Sequence, residues 1–383
     1  MLQPAPPAMT ELRRAAKAAR PEGLLDLSRS EPLPVPPSEA CAARVAEQFM
    51  RAQQYSPPGG LMPVREAAAR YASARSGSEI GAERVTITAG AMAGLAVALR
   101  ALTEPGDEVL VPVPYFHSYP KQVTMLGAVP RLVDTRATQG ELTPEAIERE
   151  LTPRTRVLLL CNPANPAGVL LDRARLAAIL AALPPDVAVI ADEVYAEYVY
   201  DGDFTSVLAV ASGREVVALD TASKTAAMPG WRVGTAVGTE GLAPRLAQAA
   251  ATLSGAPNTL AQLAFAAWLD DPPPGDRMAP YRPRLRDVLE ALDGSGLSVR
   301  PPDGSYYVWV SAEDDDFGST ETALELARRS GVLVWPGILF GDSRSVRVSL
   351  GVPRRELRDG VIRFTDSWRE VREGDISISG SGR

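Results

Sequence analysis

The sequence predicts an α/β protein: a large domain with a mostly parallel seven-stranded sheet sandwiched by helices, plus a smaller α+β domain built from both termini. The first observation is length, because 383 residues exceed one ordinary domain and suit two. The second is an alternation of short β-branched runs with helical patterns between about residues 84 and 240, which is typical of a parallel sheet covered on both faces. The third is a change to longer helices and isolated strands in the last hundred or so residues.

Strands and helices alternate through the large domain. The predicted strands are Arg84–Thr88, Glu108–Val113, Val129–Asp134, Thr155–Leu160, Val187–Ala191, Glu215–Asp220 and Arg232–Val237. The predicted helices are Pro63–Ser76, Gly90–Leu102, Phe116–Leu126, Pro144–Glu150 and Asp172–Leu183, with a helical stretch from Leu242 to Trp268. Ligands of such sheets bind at the carboxyl ends of the strands, so the chemistry is expected there.

The smaller domain begins after the helix-breaking run Asp270–Gly275. Its predicted helices are Met278–Leu292, Thr320–Ser330 and Arg354–Arg369, and its predicted strands are Leu297–Arg300, Ser305–Val310, Val332–Trp335 and Ser345–Leu350. We assign residues 45–280 to the large domain. Residues 1–44, too rich in proline to fold alone, join 281–372 in the small domain, and the Ser/Gly-rich residues 373–383 form a disordered tail.

Composition narrows the function classes. The net charge of −7 is spread out, so no basic face for nucleic acid is expected. No run of about 18 apolar residues predicts a membrane helix, and the Pro-rich start lacks a signal-peptide layout. Cys41 and Cys161 have no metal-type spacing, which predicts no metal site and favours a reduced cytoplasmic setting.

Lysine is scarce: of 40 basic residues only Lys17, Lys121 and Lys224 are lysines. Arginine cannot lose its proton or form an imine, so a retained lysine is a candidate for chemistry. Lys17 and Lys121 suit ordinary surface positions. Lys224 follows a predicted strand, lies beside Thr221 and Ser223, and precedes Arg232 by eight residues. Hydroxyls and a guanidinium beside an amine suit a phosphate-bearing carbonyl ligand, although a solvated loop lysine is the alternative.

Two polar motifs follow neighbouring predicted strands. Asp192, directly after a buried strand, needs a cation or donor, which the ring nitrogen of an aromatic cofactor supplies. Tyr195 would reach the same ring's oxygen. Asn165, in the turn Asn-Pro-Ala-Asn-Pro-Ala-Gly, would point a rigid amide at that oxygen. A helix N-cap for Asp192 and a plain Asx turn for Asn165 are the alternatives.

Further candidates surround these positions. Gly90 with the amides of Ala91 and Met92 forms a strand–helix joint suited to an anion. Phe116 would stack on a ring or pack in the core, and His117, the one histidine, either binds a hydrogen-bond partner or handles a proton. Arg347, on a strand, would bind a carboxylate unless it lies on an exposed edge.

Taken together, the motifs resemble the fold-type I enzymes that depend on pyridoxal 5'-phosphate, in particular the class I/II aminotransferases. The matching stretches, in the family's order, are YSPPGG, TAGAMAGL, PYFHSYP, NPANPAG, ADEVY, SKTAAMPGWRVG, PDGSYYVW and VRVS. They run from about residue 25 to 370.

The resemblance implies a role for each matched position. Lys224 matches the Schiff-base lysine and Asp192 the partner of the ring nitrogen, while Tyr195, with Asn165, matches the partner of the ring oxygen. The catalytic residues implied are Lys224, Asp192 and Tyr195. The phosphate site is implied at Thr221, Ser223, Arg232, Gly90, Ala91 and Met92, and the ring-stacking aromatic at Phe116. Tyr55 matches a tyrosine that reaches the neighbouring subunit's phosphate, which implies a homodimer with shared active sites. Arg347 matches the arginine that binds the substrate α-carboxylate.

Departures from the family pattern concern the substrate side. Ser30-Glu31-Pro32-Leu33 stands where the family often has Gly-Glu-Pro-Asp. Beside Arg347, the further candidates for substrate binding are Ser30, Asn165 and His117. The implied activity is transamination between an L-amino acid and a 2-oxo acid. The alternatives are another outcome on the same cofactor (Cβ–S lysis, or oxidative deamination coupled to decarboxylation) in a biosynthetic pathway, and a regulator without catalysis.

Overall fold

The computed structural model describes residues 8–372. The helices are α1 (Ala8–Ala19), α2 (Glu39–Glu47), α3 (Met62–Ser76), α4 (Ala91–Leu102), α5 (Tyr119–Met125), α6 (Pro144–Glu150), α7 (Arg173–Ala182), α8 (Ala222–Thr225), α9 (Ala243–Leu253), α10 (Thr259–Asp270), α11 (Arg282–Leu292), α12 (Thr320–Ser330) and α13 (Arg354–Arg372). The strands are β1 (Leu25–Asp26), β2 (Val85–Thr88), β3 (Glu108–Val113), β4 (Val129–Asp134), β5 (Thr155–Cys161), β6 (Ala188–Asp192), β7 (Val216–Thr221), β8 (Gly234–Gly238), β9 (Ser298–Val299), β10 (Tyr307–Ser311), β11 (Val332–Leu333), β12 (Trp335–Pro336) and β13 (Ser345–Ser349).

The predicted seven-stranded sheet is confirmed among these residues, in the order β2-β8-β7-β6-β5-β3-β4. Pairing is parallel from β7 through β4, whereas β8 is antiparallel to both of its neighbours. The side chains of the sheet alternate between two apolar layers, because successive residues of a strand face opposite sides. Val157 and Leu159 pack with α4 and α9 on one face, and Leu158 and Leu160 pack with α6 and α7 on the other.

The second unit contains a four-stranded antiparallel sheet, β12-β13-β10-β9, and a two-stranded parallel pair, β1-β11. The amino-terminal segment packs on this unit, since β1 pairs with β11 and the α1 residues Met9, Leu12 and Ala16 pack in one cluster with Ala323 and Ala327 of α12. The predicted boundary between residues 44 and 45 falls inside α2, a helix that packs on α10 of the large unit. The predicted tail, 373–383, lies outside the described residues.

Strand ends bring the candidate residues to one edge of the large sheet. Asp192 ends β6 and Lys224 follows β7, both at carboxyl ends. Arg232 was predicted to start a strand, and this is wrong: it has left-handed backbone angles (φ 51°, ψ 57°) and precedes β8. Because β8 runs antiparallel to β7, its amino end lies at the same edge, which brings Arg232 to the Lys224 segment.

Candidate active site

A cavity of about 330 Å³ opens between the edge of the large sheet and the small unit. Most of the residues predicted for the site line it: Ser30, Ala91, Met92, Phe116, His117, Asn165, Asp192, Tyr195, Thr221, Ser223, Lys224 and Arg232. Tyr307 also lines it and was not predicted.

Lys224 extends its amine into this cavity from the four-residue helix α8. Its Nζ donates to the carbonyl oxygen of Ser30 and lies 5.8 and 5.6 Å from the ring centroids of Tyr195 and Tyr306. Burial lowers the pKa of the Lys224 amine, with the nearby Tyr307 opposing this and the guanidinium of Arg347 reinforcing it. A buried amine with a lowered pKa is a better nucleophile and base near neutral pH.

Asp192 is a buried carboxylate at the end of β6. Its Oδ2 accepts a 2.5 Å hydrogen bond from Tyr119 Oη, and its Oδ1 accepts a 3.4 Å bond from the amide of Val194. Within residues 8–372 it forms no ion pair at 4 Å or less. Burial raises the pKa of Asp192 to about 6 against the effect of the Tyr119 bond. A cationic group in the cavity would therefore stabilise the ionised form.

The phosphate candidates form a cup of donors at the start of α4. Gly90 caps this helix at φ 84° with no side-chain cap, which leaves the first helical amides free to bind an anion. Across the cup, Arg232 Nη1 donates a 3.0 Å bond to Ser223 Oγ, and the hydroxyls of Thr221 and Ser223 are 3.1 Å apart. A Cβ on Gly90 would lie 2.9 Å from Arg232 Nη2, so glycine keeps the cup open.

Arg347 is buried on the central strand β13, which excludes the exposed edge-strand alternative. The residue is 1% exposed, and its guanidinium lies 3.9 Å from the ring centroid of Tyr307. It donates to Asn165 Oδ1 at 2.9 Å and to Ser30 Oγ at 3.2 Å, while its Nε finds no hydrogen-bond partner among the described residues. In the part of the chain described, no carboxylate pairs with it. This buried cation is suited to a carboxylate ligand.

The remaining predicted residues differ in how they meet the site. Asn165 Nδ2 donates to Tyr195 Oη at 3.3 Å, so its amide is fixed between that phenol and Arg347. His117 stacks on Trp335 at 5.0 Å between ring centroids, and burial lowers its pKa to about 4, which keeps it neutral. Tyr55 is not brought to the cavity, since it lies on the surface and is 99% exposed.

Two tyrosines of the site were missed by the sequence interpretation. Tyr119 donates to Asp192, and Tyr307 lines the cavity beneath Arg347. Both lie inside motifs that were singled out, PYFHSYP and PDGSYYVW. The available signal was a tyrosine at the start of a helix for Tyr119 and at the start of a strand for Tyr307. The partner that a hydroxyl finds across the fold cannot be predicted from sequence spacing alone.

Fold and cavity together define a class of enzyme that holds a phosphate-bearing aromatic cofactor at the strand ends of an α/β sheet. Residues 22–364 match the family of class I and II aminotransferases. The chain belongs to this family. It is an aminotransferase that depends on pyridoxal 5'-phosphate and acts on amino acids, and the comparisons support this activity over the lyase and oxidative alternatives.

Relatives and solved structures agree with this assignment. The chain is 32% identical to a putative aminotransferase YugH of Bacillus subtilis, covering 91% of this chain and 92% of that protein. It is also 32% identical to the arginine–pyruvate transaminase AruH of Pseudomonas aeruginosa, covering 89% and 88%. A single mutant of the aspartate aminotransferase of Thermus thermophilus superposes with a TM-score of 0.86 at 29% identity, over 94% of this chain and 97% of that one. No helix within residues 8–372 is long and apolar enough to cross a membrane.

Proposed function

We propose that Lys224 attaches the cofactor through its amine and serves as the base of a transamination between an L-amino acid and a 2-oxo acid. The observation that carries this is the convergence of a buried amine, a buried carboxylate and a donor-lined cup on one cavity: Lys224, Asp192 and Arg232 all line it. When bound, pyridoxal phosphate supplies an aromatic ring that takes up negative charge from the substrate Cα.

The residues present fit this cofactor. Asp192 is a buried carboxylate without an ion-pair partner among residues 8–372, and a ring nitrogen that carries a proton would be its partner. The amides at the start of α4, the hydroxyls of Thr221 and Ser223, and Arg232 would bind the phosphate. Asn165 and Tyr195 would donate to the ring oxygen, and Phe116, on the cavity wall, would stack on the ring.

The substrate's α-carboxylate would be bound by Arg347. This guanidinium already has a free Nε and only neutral acceptors, so a carboxylate would add charge-assisted hydrogen bonds. With the carboxylate fixed there, Lys224 Nζ would accept the proton from the substrate Cα, an exchange that a lowered amine pKa favours. Ser30 and His117 border this side of the cavity and would contact the substrate.

The proposal extends to assembly and setting. Tyr55 is fully exposed on one protomer. Three apolar residues near it in the sequence are also exposed: Phe49, Met50 and Met62. A second copy of the chain would cover this surface and receive Tyr55 at its own phosphate site, which supports a homodimer with shared active sites. Both cysteines are free thiols, in keeping with a cytoplasmic enzyme of amino acid metabolism.

The decisive experiment removes the Lys224 amine by substitution and measures cofactor absorbance and turnover. The purified enzyme should carry a visible cofactor absorbance that changes when a suitable amino acid is added alone, with stoichiometric consumption of a 2-oxo acid under turnover. Lys224→Ala should lose turnover, because the base and attachment point are gone, whereas Lys121→Ala should behave as the wild type. Normal turnover by Lys224→Ala would overturn the proposal.

A further inference from the structure

A buried ion pair lies directly behind the Lys224 segment. Arg75, in the last turn of α3, donates from Nη1 to Asp220 Oδ2 at 2.6 Å, and the two side chains are 16% and 11% exposed. Arg75 Nη2 also donates to the carbonyl oxygen of Glu193 at 3.4 Å and lies 3.9 Å from the Oε2 of the buried Glu193 carboxylate. Neither member of the pair lines the cavity of the active site.

Asp220 binds the chain on both sides of Lys224. Its Oδ1 accepts a 2.6 Å hydrogen bond from the amide of Thr221 and another 2.6 Å bond from Thr225 Oγ1. Thr221 lies three residues before Lys224 and Thr225 immediately follows it. One carboxylate oxygen therefore binds both ends of the segment that carries the amine and restrains its conformation.

Other contacts hold the carbonyl groups of the same segment. Tyr198 Oη donates to the Lys224 carbonyl oxygen at 2.8 Å, and Arg277 Nη2 donates to the Thr225 carbonyl oxygen at 3.1 Å. These bonds fix where the segment lies, but they do not involve Thr221, whose hydroxyl lies 3.1 Å from Ser223 Oγ in the phosphate cup. Thr221 is also held through its own hydroxyl, which donates to the Val233 carbonyl oxygen at 3.1 Å and accepts from the Ser223 amide at 3.3 Å. Asp220 adds the contact that joins Thr221, before the amine, to Thr225, after it.

The charge on Asp220 depends on Arg75. Burial raises the pKa of Asp220, and the guanidinium of Arg75 is the largest influence that opposes this. A buried carboxylate that loses its cation either takes up a proton or draws water into the structure. In both cases its two short hydrogen bonds to the Lys224 segment weaken.

We propose that the Arg75–Asp220 pair is a positioning element of the enzyme. It fixes the position of Lys224 Nζ relative to the Thr221 hydroxyl, so that one segment presents both the amine and a phosphate donor. This inference rests on the proposed role of Lys224. Both residues act through the segment, and neither is catalytic.

The test compares Arg75→Met, Asp220→Asn and the double variant with wild type. Arg70→Met is the matched control, because Arg70 lies on the same helix and pairs with Asp270 on the surface at 2.8 Å. Amide hydrogen exchange of the Lys224 segment is measured in the cofactor-free protein, with the core strand β5 as an internal reference. Near-ultraviolet and visible circular dichroism of the bound cofactor, kcat and KM are measured in the loaded protein.

Each single variant should speed exchange at residues 221–225 without speeding it in β5, and should alter the circular dichroism of the cofactor. The value of kcat should fall about 100-fold, the effect expected of a misplacement of about 1 Å, with a smaller change in KM. The double variant should lose less than the sum of the two single losses, because both single variants remove the Arg75–Asp220 contact. Arg75→Lys should restore much of the activity, and Arg70→Met should match the wild type.

A purely structural role would look different. Equal acceleration of exchange in the Lys224 segment and in β5, with an unchanged cofactor spectrum and kcat, would overturn the proposal. Additive losses in the double variant would also overturn it. Exchange in the cofactor-free protein does not depend on what Lys224 does to the cofactor, so failure of the proposed function would be distinguishable from failure of this inference.

Discussion

Arg347 Nη1 donates a 2.9 Å hydrogen bond to Asn165 Oδ1, and this bond joins the small antiparallel sheet to the loop after β5. Each partner is buried, and each belongs to a different predicted function, one for the substrate and one for the cofactor. The same Asn165 donates to Tyr195 on its other side. Asn165 therefore connects the arginine proposed to bind the substrate carboxylate with the tyrosine proposed to contact the cofactor ring.

We expect Arg347→Lys to impair substrate binding more than cofactor binding. A lysine keeps the charge but cannot form the two-pronged contact with a carboxylate. Since hydrogen bonds to charged groups contribute about 1.5–3 kcal/mol, kcat/KM for the amino acid should fall roughly 10- to 100-fold. Steady-state kinetics would measure it, and Arg354→Lys, at an exposed ion pair with Asp287, is the control. An unchanged KM would contradict the role of Arg347.

Sequence and structure agree most closely where local pattern determines the outcome. The parallel strands could be predicted because strands buried on both faces read as apolar runs separated by helices. The positions of Lys224, Asp192 and Asn165 in one cavity follow from the same rule, since carboxyl ends of parallel strands meet at one edge.

Long-range pairing could not be predicted in the same way. Arg75 and Asp220 are 145 residues apart, and nothing in their spacing indicates contact. The reversal of β8 is equally hidden, because a buried strand has the same composition in either direction. The helix α1 was missed in a segment taken as too rich in proline: its apolar face is completed by α12, more than 300 residues away.

Asp192 should give the cofactor-free protein a pH dependence that Asp192→Asn lacks. Burial raises the pKa of this carboxyl in the folded protein to about 6, above its ordinary value of 3.8. Folded protein thus holds a proton that unfolded protein has lost between these values. Its stabilising contribution is complete below about pH 4 and is lost as the pH rises through about 6.

Thermal unfolding from about pH 4 to 7 would measure this difference between Asp192→Asn and wild type. Tyr119→Phe removes the 2.5 Å bond that stabilises the ionised carboxylate, so it should move the wild-type transition to higher pH. Cofactor affinity should rise over the same range in wild type, as the carboxylate ionises. Parallel stability profiles for wild type and Asp192→Asn would contradict the assignment.

Gly90→Ala should weaken cofactor binding more than it destabilises the fold. Gly90, at φ 84° and ψ 171°, lies in a backbone region that is nearly restricted to glycine, so a residue with a Cβ there costs about 1–3 kcal/mol. The new methyl group would also displace the guanidinium of Arg232 from 2.9 Å away. Gly77→Ala is the control, because Gly77 also has a positive φ, 68° in the left-handed helical region, but has open space around it. Both variants should lose stability in denaturant unfolding, Gly90→Ala at least as much as Gly77→Ala, while fluorescence titration shows weaker cofactor binding for Gly90→Ala alone. Equal affinities would argue against a phosphate cup at this helix.

Tyr55 allows the shared-site dimer to be tested by complementation. On one protomer its side chain is fully exposed and does not line the cavity, so contact with the phosphate would require a second copy of the chain. Tyr55→Ala homodimers should bind the cofactor weakly and Lys224→Ala homodimers should be inactive. A hybrid of the two contains one site with both native residues, Lys224 from one protomer and Tyr55 from its partner, and one site with neither. The two variants would be co-expressed with different tags, and the hybrid would be purified through both tags. It should recover about half of the wild-type activity per dimer at limiting cofactor. If each protomer completed its own site, every site in the hybrid would remain defective and no activity above that of Tyr55→Ala would return.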